Sequence, residues 1–564
     1  MRDKRTFCDK GNVNALTSLL LSHGVRTVVV CPGSRNAVLA HNFYQLSSEN
    51  DGERGDFSIY PATDERSAAF VALGTVLATG EPAAVCVTSG SALLAAIPAA
   101  AEAHYRRLPL LIISADRPPS AINQLDGQTI PQVGALRPYT DTYNVPEIRD
   151  GEEAWWANRL INEALTKLKA DSCPIHINLP ISEPLFSFTT EQLPEERVVR
   201  EVRATADRPL PGELVEEIAA ARLPMLLVGH KDRPWPAVQE LERSGSVLVL
   251  PEIVANEEGC LRNAILENSD SPLMPDLLIH VGGNMVNKRF KLALRRNEGL
   301  KVVRISSETG GMPDTFHHLR YLVRCDEEKA LTQLSRQLPA KDAVERVRER
   351  IDRAAEALKG FVPQRFSDIG IMQLFARKLE DKRISSLHLA NSSPVRNAAY
   401  FLNGGRFPIF CNRGVNGIEG SLSVAVGCSL VSEGVVVCAI GDLSFFYDQN
   451  ALWETKLRGN LRILLFNNGG GQIFRQLPGL GASAARDEYV SARHGLTAEG
   501  VAGTFGLDYA SARSYAEFES GLETLLSPTA TRPVLLEVFS SAVDDDCDLS
   551  RMKQLILEVS AEWR

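Results

Sequence analysis

The sequence predicts an α/β protein made of three consecutive open sheets, mainly parallel, and three observations lead there. Short apolar runs of strand length alternate with stretches of helical periodicity along the whole chain. Most of those runs end in loops rich in glycine, asparagine or serine, the punctuation expected where a parallel strand hands over to a crossover helix. The alternation is interrupted twice, by a proline-rich stretch of mixed charge at 189–209 and by a charged helical stretch at 343–366. The expected organisation is therefore three α/β domains at 1–188, 210–342 and 367–564, joined by that linker and that connector.

Composition narrows the function. The 564 residues are 44% hydrophobic and 23% charged, an ordinary globular balance with room for several cores. A net charge of −9 without a long basic run excludes a general affinity for nucleic acid or anionic membrane, so small molecules are the expected partners. No apolar run has the length of a membrane span, and the start MRDKRTFCDKGN lacks the apolar core of a signal peptide. The ten cysteines form no C-x-x-C pair, and Cys31, Cys86, Cys428 and Cys438 lie in or beside apolar strands, as reduced thiols of a cytoplasmic protein would.

In the first third, a helical pattern over 13–21 leads to a strand over 27–30 that ends in CPGSR. The turn at Pro32 and Gly33 leaves Ser34 and Arg35 at the expected start of a helix, where backbone N–H groups and a guanidinium can grip an anion such as a carboxylate. TDERSAAFVALGTVLATG reads as a helix with Glu65 in its first turn, a position that by itself stabilises a helix by about 0.3–1 kcal/mol. Strands over 83–88, 110–114 and 174–179 follow. Arg117 at a strand end and Gln128 in the loop DGQTIPQ are placed to meet a ligand, whereas His104 reads as a packing or surface residue.

The middle third repeats the alternation, with strands over 224–228, 247–250, 277–281 and 302–305. Its VGGNMVNKRF lacks the G-x-G-x-x-G fingerprint of a dinucleotide site. Lys288 and Arg289 open the next helix, where they either face solvent or meet an acidic substrate. The adjacent His317 and His318 lack metal-ligand spacing and read as structural.

The last third carries the most chemistry. Ser392, Arg396 and Arg413 fall in strand-end loops, NSSPVR and NRGVNGIEG, on one expected rim. A strand over 435–440 ends in Gly441-Asp442, a helix carrying Leu452 and Trp453 follows, and a second strand over 461–466 ends in Asn467-Asn468-Gly469-Gly470-Gly471. Parallel neighbours would bring Asp442 and Asn468 together, and a carboxylate beside an amide oxygen suits a hard divalent cation that keeps phosphate oxygens among its ligands. Gln472, Ile473, Phe474 and Leu477 continue as an apolar wall. A strand over 534–538 and a terminal helix complete the domain.

Gly-Asp followed at a distance by Asn-Asn resembles the motif of thiamine diphosphate enzymes. Together with CPGSR, DERSAAF, TSGSA, ADRPP, the Gln128 loop, NKRF, NSSPVR, NRGVNGIEG, GDLSFFYDQNAL and NNGGGQIF, it resembles the 2-succinyl-5-enolpyruvyl-6-hydroxy-3-cyclohexene-1-carboxylate synthase family of menaquinone biosynthesis. Leu443 and Ser444 stand where other branches have a second glycine. The resemblance implies pyrimidine-binding, central and diphosphate-binding domains and a transferase reaction. In that reaction 2-oxoglutarate loses CO2 and the resulting succinic semialdehyde–cofactor carbanion adds to isochorismate in a Stetter-like 1,4-addition. It implies Glu65 as the residue that activates thiamine diphosphate and Ile418 as support for the cofactor's bent form. Gly441, Asp442, Leu443, Ser444, Asn468, Gly470, Gln472 and Ile473 would lie around the cofactor. Asp442, Asn468 and the Gly470 carbonyl would hold Mg2+ or Mn2+. Ser34, Arg35, Gln128, Ser392 and Arg396 would stand nearest the chemistry, and these with Arg117, Lys288, Arg289, Arg413, Ile473, Phe474 and Leu477 would bind substrates. A homodimer or homotetramer with sites shared between chains is also implied. The competing readings are another thiamine diphosphate-dependent decarboxylase or carboligase, which would need acid–base histidines that the sequence does not place near Glu65 or Asp442, and a non-catalytic regulatory relative.

Overall fold

The computed structural model describes residues 5–47, 57–201, 209–269, 273–308, 310–454, 456–477, 479–561 and 563. Its strands fall into three sheets, and every strand pairing within them is parallel. The first holds β1 (Thr27–Val30), β2 (Ser58–Pro61), β3 (Ala83–Val87), β4 (Leu110–Asp116), β5 (Asp141–Asn144) and β6 (Ile175–Pro180). The second holds β7 (Pro224–Val228), β8 (Leu248–Pro251), β9 (Leu277–Val281), β10 (Lys301–Ser306) and β11 (Leu319–Arg324). The third holds β12 (Ser386–Leu389), β13 (Ile409–Phe410), β14 (Val436–Gly441), β15 (Leu461–Asn467), β16 (Asp508–Ala512) and β17 (Val534–Phe539). Central strands such as β3, β4 and β15 are buried along their whole length, because helices cover both faces of each sheet.

Strand order decides where ligands can enter. The first sheet runs β2-β1-β3-β4-β6-β5 and the third runs β13-β12-β14-β15-β17-β16, so the two share one topology. In each, the chain leaves its first strand toward one edge and returns on the other side of it. That reversal opens a crevice at the carboxyl ends, between β1 and β3 in the first sheet and between β12 and β14 in the third. The second sheet, β11-β10-β9-β7-β8, has its own reversal between β7 and β9.

The outer two sheets share a core. Helix Glu65–Thr79 lies against helix Ser421–Val431, and Phe70 and Leu73 join Leu422, Val426 and Ile440 in one buried cluster. The backbones all but touch: a Cβ on Gly74 would lie 2.2 Å from the Val424 carbonyl oxygen, and one on Gly427 would lie 2.0 Å from that of Val71. The carboxyl-terminal helix Ala542–Ala561 runs back to the middle domain, where Met552 and Ile556 pack with Val344, Ile351 and Leu358 of helix Asp342–Lys359.

Three local expectations are corrected. The helix after β14 spans Asp442–Asp448 and passes into a 3-10 turn, Gln449–Leu452, which leaves Trp453 outside and exposed. Ser34 and Arg35 lie in a turn ahead of helix Ala37–Ser47, so neither stands at the helix start. The edge strands β2, β5, β11 and β16 carry no continuous apolar run, since they are only partly buried, and the sequence did not announce them.

Candidate active site

The site is assembled at the carboxyl edge of the third sheet. β14 ends at Gly441, Asp442 begins the helix behind it, and the parallel neighbour β15 ends at Asn467, so the Asn468–Gly471 loop falls directly over Asp442. Asp442 is 3% exposed. Its Oδ2 accepts hydrogen bonds from the N–H groups of Gly469 and Gly470, both at 2.9 Å, and its Oδ1 accepts from Leu443 N–H at 2.6 Å. Gly470 takes φ +140°, a conformation open to glycine, which lets its N–H turn onto the carboxylate. Burial pushes the Asp442 carboxyl above its ordinary range, while these N–H groups and nearby His494 pull the other way.

Three acids gather here. Asp368 accepts from Asn468 Nδ2 at 3.0 Å and from Ser540 Oγ at 2.6 Å, and its own N–H donates to Asp545 at 2.6 Å. Burial first, and the charge of Asp442 further on, raise Asp368 to about 6; Asp545 is likewise raised, by burial and by Asp368. This excess of buried negative charge is what a bound cation would relieve. Among the described residues no three His, Cys, Asp or Glu side chains form a metal set by themselves. The oxygens that this strand end and loop contribute are of mixed kind: the Asp442 carboxylate, the Asn468 amide and the loop carbonyls. Hard oxygen donors of that sort fit Mg2+ or Mn2+. Beside them a cleft of about 720 Å³ is lined by Asn468, Gln472, Arg475, Arg493 and Arg513. A Cβ placed on Gly441 would meet nothing within 4 Å, so the backbone at the carboxyl end of β14 is uncrowded.

Ser392, Arg396, Arg413 and Ile418 join this rim. Ser392 precedes helix Ser393–Ala398, and Arg396 donates to its carbonyl at 3.2 Å. Burial and the nearby Arg413 guanidinium both disfavour the charge on Arg396. Two guanidiniums so placed invite an anion. Ile418 and Leu477 are exposed, and Ile473 and Phe474 are half-buried in the loop beyond the glycines.

A second group lies on the first sheet. Arg35 is buried, donates to the Ile181 carbonyl at 2.9 Å and pairs with Glu183 at 3.0 Å, so it already has an anion in hand. Ser34 and Gln128 are exposed; Arg117, half-buried, has its Nε without a hydrogen-bond partner among the described residues. Glu65 is half-buried and makes no hydrogen bond or ion pair with a described residue. Lys288 and Arg289, exposed on the second sheet's rim, begin helix Lys288–Arg295 as expected.

No hydrogen bond or ion pair joins Glu65 to Asp442 among the described residues. The residues flanking Glu65 reach the far end of the helix that Asp442 begins: Asp64 accepts from Asn450 at 2.8 Å, and Arg66 donates to the Tyr447 carbonyl at 2.6 Å. Sequence reasoning missed Asp368, His494, Ser540 and Asp545, which no local motif marks and only the shared strand ends bring together. His104, read as a packing or surface residue, is exposed and bonded to the Tyr139 carbonyl. His317 and His318 precede β11 in a loop.

Known proteins give this geometry its context. Residues 12–135 match the thiamine pyrophosphate enzyme N-terminal TPP binding domain, and residues 396–538 match the C-terminal TPP binding domain. The cofactor is accordingly thiamine diphosphate. No helix among the described residues is long and apolar enough to cross a membrane. The benzoylformate decarboxylase of Polynucleobacter necessarius superposes with a TM-score of 0.70 over 94% of this chain and 99% of its own, at 17% identity, a likeness of fold. The 2-succinyl-5-enolpyruvyl-6-hydroxy-3-cyclohexene-1-carboxylate synthase of Bacteroides thetaiotaomicron is 39% identical over 96% of this chain and 97% of its own length. That of Phocaeicola vulgatus is 37% identical over the same shares. With sequence likeness running through all three sheets, the chain belongs to the 2-succinyl-5-enolpyruvyl-6-hydroxy-3-cyclohexene-1-carboxylate synthase family of thiamine diphosphate-dependent transferases.

Proposed function

We propose that the protein joins the decarboxylated remnant of 2-oxoglutarate to isochorismate, releasing CO2, in the cytoplasmic synthesis of menaquinone. The observation that carries this reading is the carboxylate–glycine loop of Asp442 and Gly470 at the carboxyl edge of the same sheet whose neighbouring strand ends carry an anion-seeking pair, Arg396 and Arg413. Thiamine diphosphate, when bound, supplies the electron sink that lets a 2-oxo acid lose CO2 and form a new carbon–carbon bond. Asp442, the Asn468 amide oxygen and the Gly470 carbonyl would hold Mg2+ or Mn2+ against its diphosphate, with Gly441, Leu443, Ser444 and Gln472 around them.

Glu65 would hold a proton at the aminopyrimidine ring. Its carboxylate, without a hydrogen-bond or ion-pair partner among the described residues, is available for that bond, and a neighbouring chain would bring it to Asp442. A homodimer is thus the smallest working unit. Arg396, Arg413 and Ser392 would hold substrate carboxylates from the third sheet, Ser34, Arg35, Arg117 and Gln128 from the first, and Lys288 and Arg289 from the second. Two polyanionic substrates give these cations a task that solvation alone does not. Ile418, Ile473, Phe474 and Leu477 would exclude water from the reacting face.

The test is product analysis by mass spectrometry with thiamine diphosphate, Mg2+, 2-oxoglutarate and isochorismate, omitting each in turn. One decarboxylated adduct, formed only in the complete mixture, is expected. Succinic semialdehyde released at the same rate without isochorismate would replace the synthase with a simple decarboxylase.

A further inference from the structure

The loop after β13 carries Arg413 and Ile418, and groups from all three sheets hold it. Asn284, after β9, donates to the carbonyls of Arg413 at 2.6 Å and Gly414 at 3.2 Å. Asn391, after β12, donates to the carbonyls of Asn412 and Gly417, both at 2.7 Å. The Arg413 guanidinium is thereby fixed between Asn391 Oδ1 at 3.1 Å and the Met285 carbonyl at 2.9 Å. The third hold comes from the first domain. Glu102, fully buried in helix Ile97–Arg106, accepts the Gly414 N–H on one carboxylate oxygen and the Val415 N–H on the other, each at 2.9 Å. The approach is close enough that a Cβ on Gly414 would stand 2.8 Å from both the Glu102 backbone oxygen and its carboxylate.

The chemistry of this contact is specific. Arg106 stands 3.9 Å from Glu102, but its guanidinium is drawn to Asp232 of the middle domain. The hydrogen bonds that Glu102 accepts therefore come from the two loop N–H groups, with Arg106 as a longer-range counter-charge. Holding domains together would be served as well by apolar side chains, which avoid the cost of burying a charge. A carboxylate with one oxygen for each of two successive N–H groups does something apolar packing cannot: it sets the direction of the backbone at Gly414 and Val415.

We propose that Glu102 is a positioning residue for the reaction, fixing the loop so that Arg413 meets a substrate carboxylate and Ile418 meets the cofactor; the proposal rests on the function given above. Glu102→Gln keeps the shape but offers one acceptor for two donors. Wild type and variant are compared in melting temperature, in thiamine diphosphate affinity by tryptophan fluorescence, and in kinetics with each substrate varied at saturating cofactor. The expected result is an unchanged fold with a KM at least tenfold higher for one carboxylated substrate. A role in stability alone would lower kcat through the active fraction at unchanged KM, and that outcome overturns the proposal. Should Glu102→Gln not fold, Glu102→Asp retains the charge but falls short by one methylene, and the same rise in KM is expected. An unchanged KM there, or failure of both variants to fold, overturns it. Wild type that makes no adduct counts against the function only. Cofactor affinity then decides on Glu102: a fivefold or greater loss in the variant supports the proposal, and equal affinity overturns it.

Discussion

Single residues make the sharpest predictions. Glu65→Gln keeps the shape of the side chain and removes its charge, so thiamine diphosphate should still bind while turnover falls by about 10²–10⁴-fold, as for loss of a general acid–base group. Near-normal turnover would remove the role given to Glu65. Arg396→Ala deletes one of two neighbouring guanidiniums, and kcat/KM for the oxo acid should drop by about 10–100-fold, the worth of a charge-assisted bond; unchanged kinetics with both substrates would end that assignment. Glu252, 1% exposed and accepting from Asn287 N–H at 3.3 Å, is raised from 4.5 to about 7, chiefly by burial. A carboxyl raised in the fold contributes stability that is full below 4.5 and lost as pH climbs through 7. The wild type should therefore melt lower at pH 8 than at pH 5.5, and Glu252→Gln should flatten the difference, on the order of 2 kcal/mol over that interval. Equal pH dependence in both proteins would show that Glu252 is not its source.

Elements differ in how openly the sequence declares them. β1, β7 and β9 end where their mainly apolar runs end, because both faces of those strands are covered and nearly every side chain is apolar, His280 being the buried polar exception in β9. The edge strand β5, DTYN, gives no such signal, and its place comes from pairing with β6 alone. The site divides in the same way. Asp442 and Asn468 were legible because a strand end and a glycine loop mark each of them. Asp368 and Asp545 were not, because they come from helix starts far apart in the chain and their shared environment exists only after folding. The crossing of helices Glu65–Thr79 and Ser421–Val431 shows the cost of error at this scale. Gly427→Val would drive side-chain atoms into the Val71 carbonyl, so a loss of at least about 1–3 kcal/mol is expected. A thermal melt matching wild type would mean that the helices separate at little expense.

The whole molecule poses the question of where one active site ends and the next begins. If Glu65 of one chain serves Asp442 of another, mixing the inactive variants Glu65→Gln and Asp442→Ala creates mixed dimers that each hold one wild-type site. Random exchange should then restore about a quarter of wild-type activity. A site complete within one chain would restore none. The way the outer sheets meet reaches beyond catalysis. Helices Glu65–Thr79 and Ser421–Val431 lie backbone to backbone in a shared core, so the first and third domains grip each other without help from the long detour of chain between them. Once folded, the protein does not depend on its own continuity there: a single protease nick in the exposed 195–201 stretch should leave a clipped enzyme that stays whole and keeps working.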